Sequence, residues 1–215
     1  DGSIPYRFFL CNANYSFSES NNFAAKHAEG DFLVFCNNDI IFDRPIVSSL
    51  ISTLNDDSVG LVGMDLYYPD AMGSRSESVQ HSGIAFRWDD EFEFPRPVNT
   101  NSSIASPGVE PVPAVTAALC AVRKKTFNDA GGFDEAYEYG YEDVDLCLGI
   151  QRKLGKSILV DHGLSAIHNE SATQKHDTKA VVSQRRRKNI GVFREKYGDY
   201  VCERFLPSYS GESYG

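Results

Sequence analysis

The sequence has no apolar run near the roughly 20 residues that cross a bilayer, so no membrane-spanning helix is expected. Its first residues show neither the positive start nor the apolar stretch of a secretion signal, and on that reading the chain is cytoplasmic. Positive charge is in deficit. With 21 Lys and Arg against 30 Asp and Glu the formal net charge is -9, which argues against a broad nucleic-acid-binding surface and leaves any phosphate ligand in need of local help. Cysteines are few and unpaired in pattern: Cys11, Cys36, Cys120, Cys147 and Cys202 are widely spaced, odd in number and without a CxxC pair. They read as buried free thiols rather than disulfides or a zinc site. No internal repeat is visible. What remains is ordinary globular material, 215 residues with 41% hydrophobic and 24% charged, enough for one domain with a core of its own.

The chain is organised around Asp31-Phe-Leu-Val-Phe-Cys-Asn-Asn-Asp39, an apolar run that stops at Asn37, Asn38 and Asp39. The run predicts a short strand covered on both faces, with the three oxygen-bearing residues at its C-terminal end, where open α/β sheets bind ligands. A carboxylate with neighbouring amides suits a hard divalent ion carrying a phosphorylated ligand, although Asn and Asp also end strands in plain turns. Upstream, Pro5 to Cys11 reads as an aromatic strand, and Ser18 or Ser20 as the cap of a helix through His27, ended by Gly30. Strand, helix and strand then predict a parallel crossover. Downstream, Pro45 to Leu54 reads as a helix and Val59 to Met64 as a second buried strand.

From Tyr67 to Pro113 the periodicity fails, apart from a short strand over His81 to Phe86. The acidic aromatic patch Trp88-Asp-Asp-Glu-Phe-Glu-Phe94 suits sugar binding, with a solvated hairpin the equal alternative. Val112 to Val122 is a strand rich in small residues, followed by a helix over Thr126 to Ala130 that Gly131-Gly132 close. The fifteen residues Phe133 to Cys147 hold six carboxylates and three tyrosines. A helix from Glu142 to about Gly155 places Glu142 and Asp143 in its first turn, where the helix dipole favours carboxylates whatever their role. Ser157 to Val160 and Leu164 to His168 are two further short strands, the second delivering a histidine at its end. The basic stretch from Lys175 through Arg185-Arg-Arg-Lys188 to Lys196 predicts a C-terminal helix and then a frayed tail.

Taken in order, these segments resemble the inverting family 2 glycosyltransferases, nucleotide-sugar enzymes of the GT-A fold. Asn14-x-x-Phe17-x-x-x-Asn21-Asn22, Glu29-Gly-Asp31 and Asn37-Asn-Asp39 resemble that family's run into its metal-binding DxD motif. Gly63, Tyr68-Pro-Asp70 and Gln80-His-Ser-Gly83 resemble its next block. Thr116 to Arg123, Gly131-Gly-Phe-Asp-Glu135, Tyr141-Glu-Asp-Val-Asp-Leu-Cys-Leu148 and His168-x-x-Ser171 resemble its acceptor and catalytic half. The likeness spans Asn14 to Tyr197. It departs from the family at Asn37, which stands where the first DxD acid is expected. The beginning at Asp1-Gly-Ser3 looks like the end of the first nucleotide-binding unit, so the expected fold is N-terminally incomplete.

The resemblance implies an α/β fold, a mixed, mainly parallel sheet flanked by helices, in one domain. Residues 1–66 form its donor and metal side, 67–113 an irregular insert, 114–174 the acceptor and catalytic side, and 175–215 a helix and tail. It implies Asp39 and His168 as ligands of Mn2+ or Mg2+, with Asn22, Asn37, Asn38 and Asp39 at the nucleotide-diphospho-sugar donor. Asp143 becomes the base and Glu142 a residue shaping the acceptor site. The partners implied are a nucleotide sugar and a carbohydrate or lipid-linked acceptor, with no nucleic acid. Peripheral contact at the inner face of the membrane and oligomerisation stay open. Two rivals stand beside this reading: an inactive GT-A-like binding module, for which Asn37 speaks, and a metal-dependent phosphoesterase using the same Asp, Asn and His set.

Overall fold

The computed structural model describes residues 6–10, 15–101, 107–138, 140–169 and 179–206. A central strand, β3 (Val59–Pro69), anchors a seven-stranded sheet ordered β1 (Phe32–Cys36), β8 (Leu119–Arg123), β3, β9 (Ser157–His168), β2 (Ile40–Ile41), with β4 (Arg75–His81) also pairing β3 and β7 (Val109–Pro111) pairing β9. Strands β5 (Ile84–Asp89) and β6 (Phe94–Asn99) form a separate hairpin. Residues alternate along β3 and β8, so Leu61, Cys120 and Val122 pack on one side of the sheet and Val62, Met64, Leu119 and Ala121 on the other. The first side is covered by α1 (Phe17–His27), α3 (Lys124–Ala130), α4 (Glu142–Leu154) and α5 (Lys179–Phe205), and the second by α2 (Val47–Leu54). Gly63 lets this stack close, because a Cβ there would sit 2.8 Å from Val115.

Three expectations change. The sheet is mixed but not mainly parallel: among the described residues only β3 and β9 run parallel, and β1 pairs antiparallel with β8. Tyr6 to Leu10, the described part of the expected first strand, lies in no strand and is largely exposed. The insert is regular rather than irregular, since most of Tyr67–Pro113 lies in β3 to β7. Pro95 and Pro97 are tolerated inside β6 because it pairs with β5 alone, and a strand with one free edge can do without some N–H donors.

Smaller shifts have local causes. Ser16, not Ser18 or Ser20, caps α1: its hydroxyl accepts from Glu19 N–H while the Glu19 carboxylate accepts from Ser16 N–H, a reciprocal pair that stabilises the start. β9 is one strand, not two, with a bulge between Asp161 and Ser165 absorbing the polar break. The acidic patch forms the hairpin tip against α5, where Arg187 pairs with Glu91 at 3.8 Å and the Arg194 guanidinium lies over the Phe94 ring. The hairpin alternative for this patch is thus the one observed, and residues 88–94 are not among those lining the cavity described below. Lys188 of the same basic stretch pairs with Glu138. Among the cysteines, Cys120 and Cys147 are buried free thiols, but Cys36 is exposed and Cys202 half-buried. Cys11 and Ser171 lie outside the described residues.

Candidate active site

A cavity of about 380 Å³ opens where the C-terminal end of β1, the end of β9, the start of α4 and the β5–β6 hairpin converge. Asn37 and His168 line one side and Glu142 and Asp143 another, with His81, Asn99 and Thr116 to Ala118 between them.

Backbone pairing explains how Asp39 and His168 meet. Ile40 is opposite His168 in the β2–β9 ladder, and Asn169 N–H donates to the Asp39 carbonyl at 3.0 Å. Their side chains then face each other, His168 Nε2 lying 3.2 Å from Asp39 Oδ1. Gln80 orients the ring: its Oε1 is 2.7 Å from His168 Nδ1 while its Nε2 donates to the His168 carbonyl at 3.4 Å. An acceptor oxygen at Nδ1 places a proton there, so in the neutral ring the Nε2 lone pair faces Asp39. Asp39 Oδ1 is buried without a hydrogen-bond donor. A lone pair facing an unsatisfied carboxylate oxygen is an arrangement that a cation between them resolves, so these two residues fit a divalent ion. Among the described residues no cluster of three or more His, Cys, Asp or Glu donors exists, so such an ion would draw its other ligands from phosphate oxygens and water.

The other expected donor-side residues separate. Asn37 reaches the cavity; Asn38 is exposed in the turn that follows β1. Asn22 is not among the residues lining the cavity. Its amide Nδ2 donates to the Phe133 carbonyl at 2.8 Å and to Glu135 at 2.9 Å, and its Oδ1 accepts from Phe133 N–H at 3.0 Å. This residue clamps α1 to the Gly131–Glu135 loop.

At the start of α4, Tyr141 adopts a left-handed backbone (φ 79°), a strained conformation for a side-chain-bearing residue that turns the chain sharply into the helix. Asp143 accepts from Val144 N–H at 2.8 Å and Ala117 N–H at 3.3 Å, and it is hydrogen-bonded to the Thr116 hydroxyl. Burial still raises its pKa. Glu142 is 8% exposed with Oε2 unpartnered; burial first, and next the charge of Asp143, push its pKa up to about 7. Glu142 is therefore about half protonated at neutrality, and Asp143, which holds the donors, is the better placed of the two to carry the charge.

That arrangement predicts a pH signature in stability. Because the folded pKa of Glu142 is raised from 4.5, its stabilising contribution is full below about pH 4.5 and is lost as pH rises through about 7. Chemical denaturation should show the unsubstituted chain losing about 2 kcal/mol more than Glu142→Gln between pH 5 and pH 8. Equal losses in the two proteins would refute the raised value.

No family model matches the chain. It is 29% identical over 170 residues to the O-antigen biosynthesis protein RfbC of Myxococcus xanthus, a match covering 76% of this chain and 13% of the relative. It is 24% identical over 196 residues to the uncharacterized protein y4gI of Sinorhizobium fredii (strain NBRC 101917 / NGR234), covering 85% and 20%. The chain thus spans a fifth or less of either relative. Among solved structures it superposes on GalNAc-T7 with UDP, GalNAc and Mn2+ at a TM-score of 0.63, with 16% identity over 96% of this chain and 40% of that one. It superposes on the mannosyltransferase PcManGT from Pyrobaculum calidifontis in complex with GDP-Man and Mn2+ at 0.55, with 15% identity over 92% and 49%. The fold is that of the GT-A glycosyltransferases.

The cavity also brings together residues that sequence reasoning left without a role. Gln80, His81, Thr116 and Ala117 all reach the site, and each lies in a block picked out above for resemblance alone. Backbone donors such as Ala117 N–H have no signature in a one-letter sequence.

Proposed function

We propose that this chain is the catalytic part of a glycosyltransferase that moves a sugar from a nucleotide-diphospho-sugar to an acceptor hydroxyl, with metal assistance and inversion at the anomeric carbon. One observation carries the reading: a single cavity on a GT-A fold brings together Asn37 and His168, the latter facing Asp39, and the carboxylates Glu142 and Asp143. A cation held by Asp39 and His168 would supply charge neutralisation for the departing diphosphate. Asn37 offers its amide to donor oxygens on that side. Asp143 accepts the proton of the acceptor hydroxyl as the hydroxyl oxygen bonds to the anomeric carbon. Its three hydrogen-bond donors favour its charged form against burial and aim it, without themselves competing for that proton. Glu142 beside it keeps its unpartnered oxygen for a polar group of the acceptor. In-line placement of both sugars in one pocket supplies the orientation that such a displacement needs.

The likeness to a protein named for O-antigen biosynthesis supports a carbohydrate or lipid-linked acceptor in polysaccharide assembly, reached from the cytoplasmic face of a membrane. Among the described residues no helix is long and apolar enough to cross one.

The test is a panel of UDP-, GDP- and TDP-sugars with Mn2+ and candidate acceptors, followed by proton NMR of the first product formed. Metal-dependent release of nucleoside diphosphate, with a product of opposite anomeric configuration to the donor, is the expected result. Retained configuration would rule out the single displacement. Hydrolysis of simple phosphate esters without an acceptor would indicate a phosphoesterase, and donor binding without turnover a binding module.

A further inference from the structure

His81, the last residue of β4, is a second histidine in the cavity, one to which the mechanism above gives no part. His81 is 2% exposed. Its Nδ1 lies 3.3 Å from Asn99 Oδ1, and its Nε2 accepts from Thr116 N–H at 3.3 Å. An amide oxygen can only accept and a backbone N–H can only donate, so one form of the ring satisfies both: neutral, with the proton on Nδ1. Burial, against the Asn99 hydrogen bond and with the nearby His168, pushes its pKa down to about 4, so this form persists across the working pH range. A ring so fixed is no acid or base. It is a permanent acceptor aimed at one backbone N–H.

That N–H opens a segment with several hydrogen bonds to the site. Residues Val115 to Ala118 lie between the Ile84–Ala114 bridge and the start of β8, outside any named strand. The Thr116 hydroxyl accepts from Ala118 N–H at 3.2 Å and is hydrogen-bonded to Asp143. Ala117 N–H donates to Asp143 Oδ2 at 3.3 Å, and the Ala118 carbonyl accepts from Asn37 N–H at 2.8 Å. The three residues thus reach the base on one side and the end of β1 on the other.

We propose that His81 is a positioning residue, which holds the Thr116–Ala118 segment in the conformation that presents two hydrogen-bond donors to Asp143. The consequence for turnover rests on the glycosyl-transfer reading; the positioning itself does not. Without the segment's donors Asp143 keeps only the Val144 N–H against burial, which disfavours its charge; the titratable groups around it are the Glu142 carboxyl beside it on α4 and the thiols of Cys147, one turn further along, and Cys120 of β8, both of which burial keeps neutral. Loss of His81 therefore acts on the base through two intermediates and touches neither substrate.

The experiment uses the full chain with 13C-labelled aspartate carboxyls, following the Asp143 resonance against pH in the unsubstituted protein, His81→Asn and His81→Gln. Glutamine carries an amide oxygen out to the place of Nε2, whereas asparagine is too short to reach Thr116. The Asp143 midpoint should move to higher pH in His81→Asn and return toward the original in His81→Gln. Where transfer is measurable, His81→Asn should lose about tenfold in kcat at pH 6 with little change in donor KM, the pattern of an impaired base. A midpoint unchanged in both folded variants overturns the proposal. A shifted midpoint in a chain that transfers no sugar supports the positioning and defeats the functional reading alone. Should His81→Asn not fold, 15N spectra of the unsubstituted protein decide: a neutral Nδ1–H ring from pH 5 to 8 is required, and an Nε2–H or charged ring excludes it.

Discussion

Replacing Asp143 with asparagine is expected to cut sugar transfer about a hundredfold or more while leaving donor binding nearly unchanged, because only the basicity of the group is removed. The asparagine oxygen can still accept from Val144 or Ala117 N–H, so the start of α4 should hold its shape. Since burial already disfavours the Asp143 charge, removing that charge carries no stability penalty of its own. Asp145→Asn is the informative comparison. Two residues further on, about 200° around the helix, Asp145 accepts from the Tyr137 hydroxyl at 2.8 Å and pairs with Lys196, which also binds Asp134 at 2.7 Å. That variant should unfold earlier and, where folded, turn over at an ordinary rate. Steady-state kinetics beside circular dichroism for both variants separates the two effects. Loss of turnover in folded Asp145→Asn, with Asp143→Asn active, would show that the motif has been read two residues out of register.

Helices and the positions of several strands were legible because their chemistry is local. Phe32 to Cys36 is apolar between turn-formers and forms a strand, but at the end of the described sheet it buries only Leu33 and Phe35 and exposes Val34 and Cys36, so it is not covered on both faces as the run suggested. α4 ends at Gly155 in the left-handed conformation that glycine adopts most readily. The insert was not legible for an equally physical reason. β4 shows its polar residues Arg75, Glu77 and Ser78 to solvent and buries only its last three, so its apolar signal covers too few positions to read as a strand. β6 carries two prolines that are compatible with a strand only once its partner count is known. Strand direction was also out of reach: β1 looks the same from sequence whether its neighbour runs with it or against it, and the long return through β8 decides the matter.

The site divides in the same way. Side chains with chemistry of their own, Asp39, Asp143 and His168, could be nominated from sequence, and the fold places the first and last in contact and the second in the cavity that His168 lines. Asn22, expected at the donor, instead contacts the Phe133 backbone and Glu135, and an amide on a helix surface is as well suited to tie down a loop as to bind a ligand. Glu142 and Asp143 looked alike in sequence. Their difference comes from partners: Asp143 has three hydrogen-bond donors, and one oxygen of Glu142 has none.

Asp39→Ala is expected to abolish the cation-dependent part of nucleoside diphosphate binding. A hard ion with two protein ligands depends on each, since phosphate oxygens and water must already fill the remainder of its shell. Isothermal titration of UDP and GDP with Mn2+ and with chelator should show the metal tightening binding to the unsubstituted chain, and making no difference to Asp39→Ala. The rival account of the 3.2 Å contact between Asp39 and His168 is a plain ion pair with a protonated ring, which would leave the metal dependence of the variant intact. Gln80→Leu discriminates further, because it touches neither the ion nor the nucleotide. With Gln80 Oε1 gone, nothing fixes the proton on His168 Nδ1, the ring is free to turn its N–H toward Asp39, and cation affinity should fall about 10- to 100-fold as it does when the outer partner of a metal-bound histidine is lost. Equal diphosphate affinity with metal, with chelator and in Asp39→Ala would remove Asp39 and His168 from the donor site and leave Asn37 as the residue of that strand end still lining it.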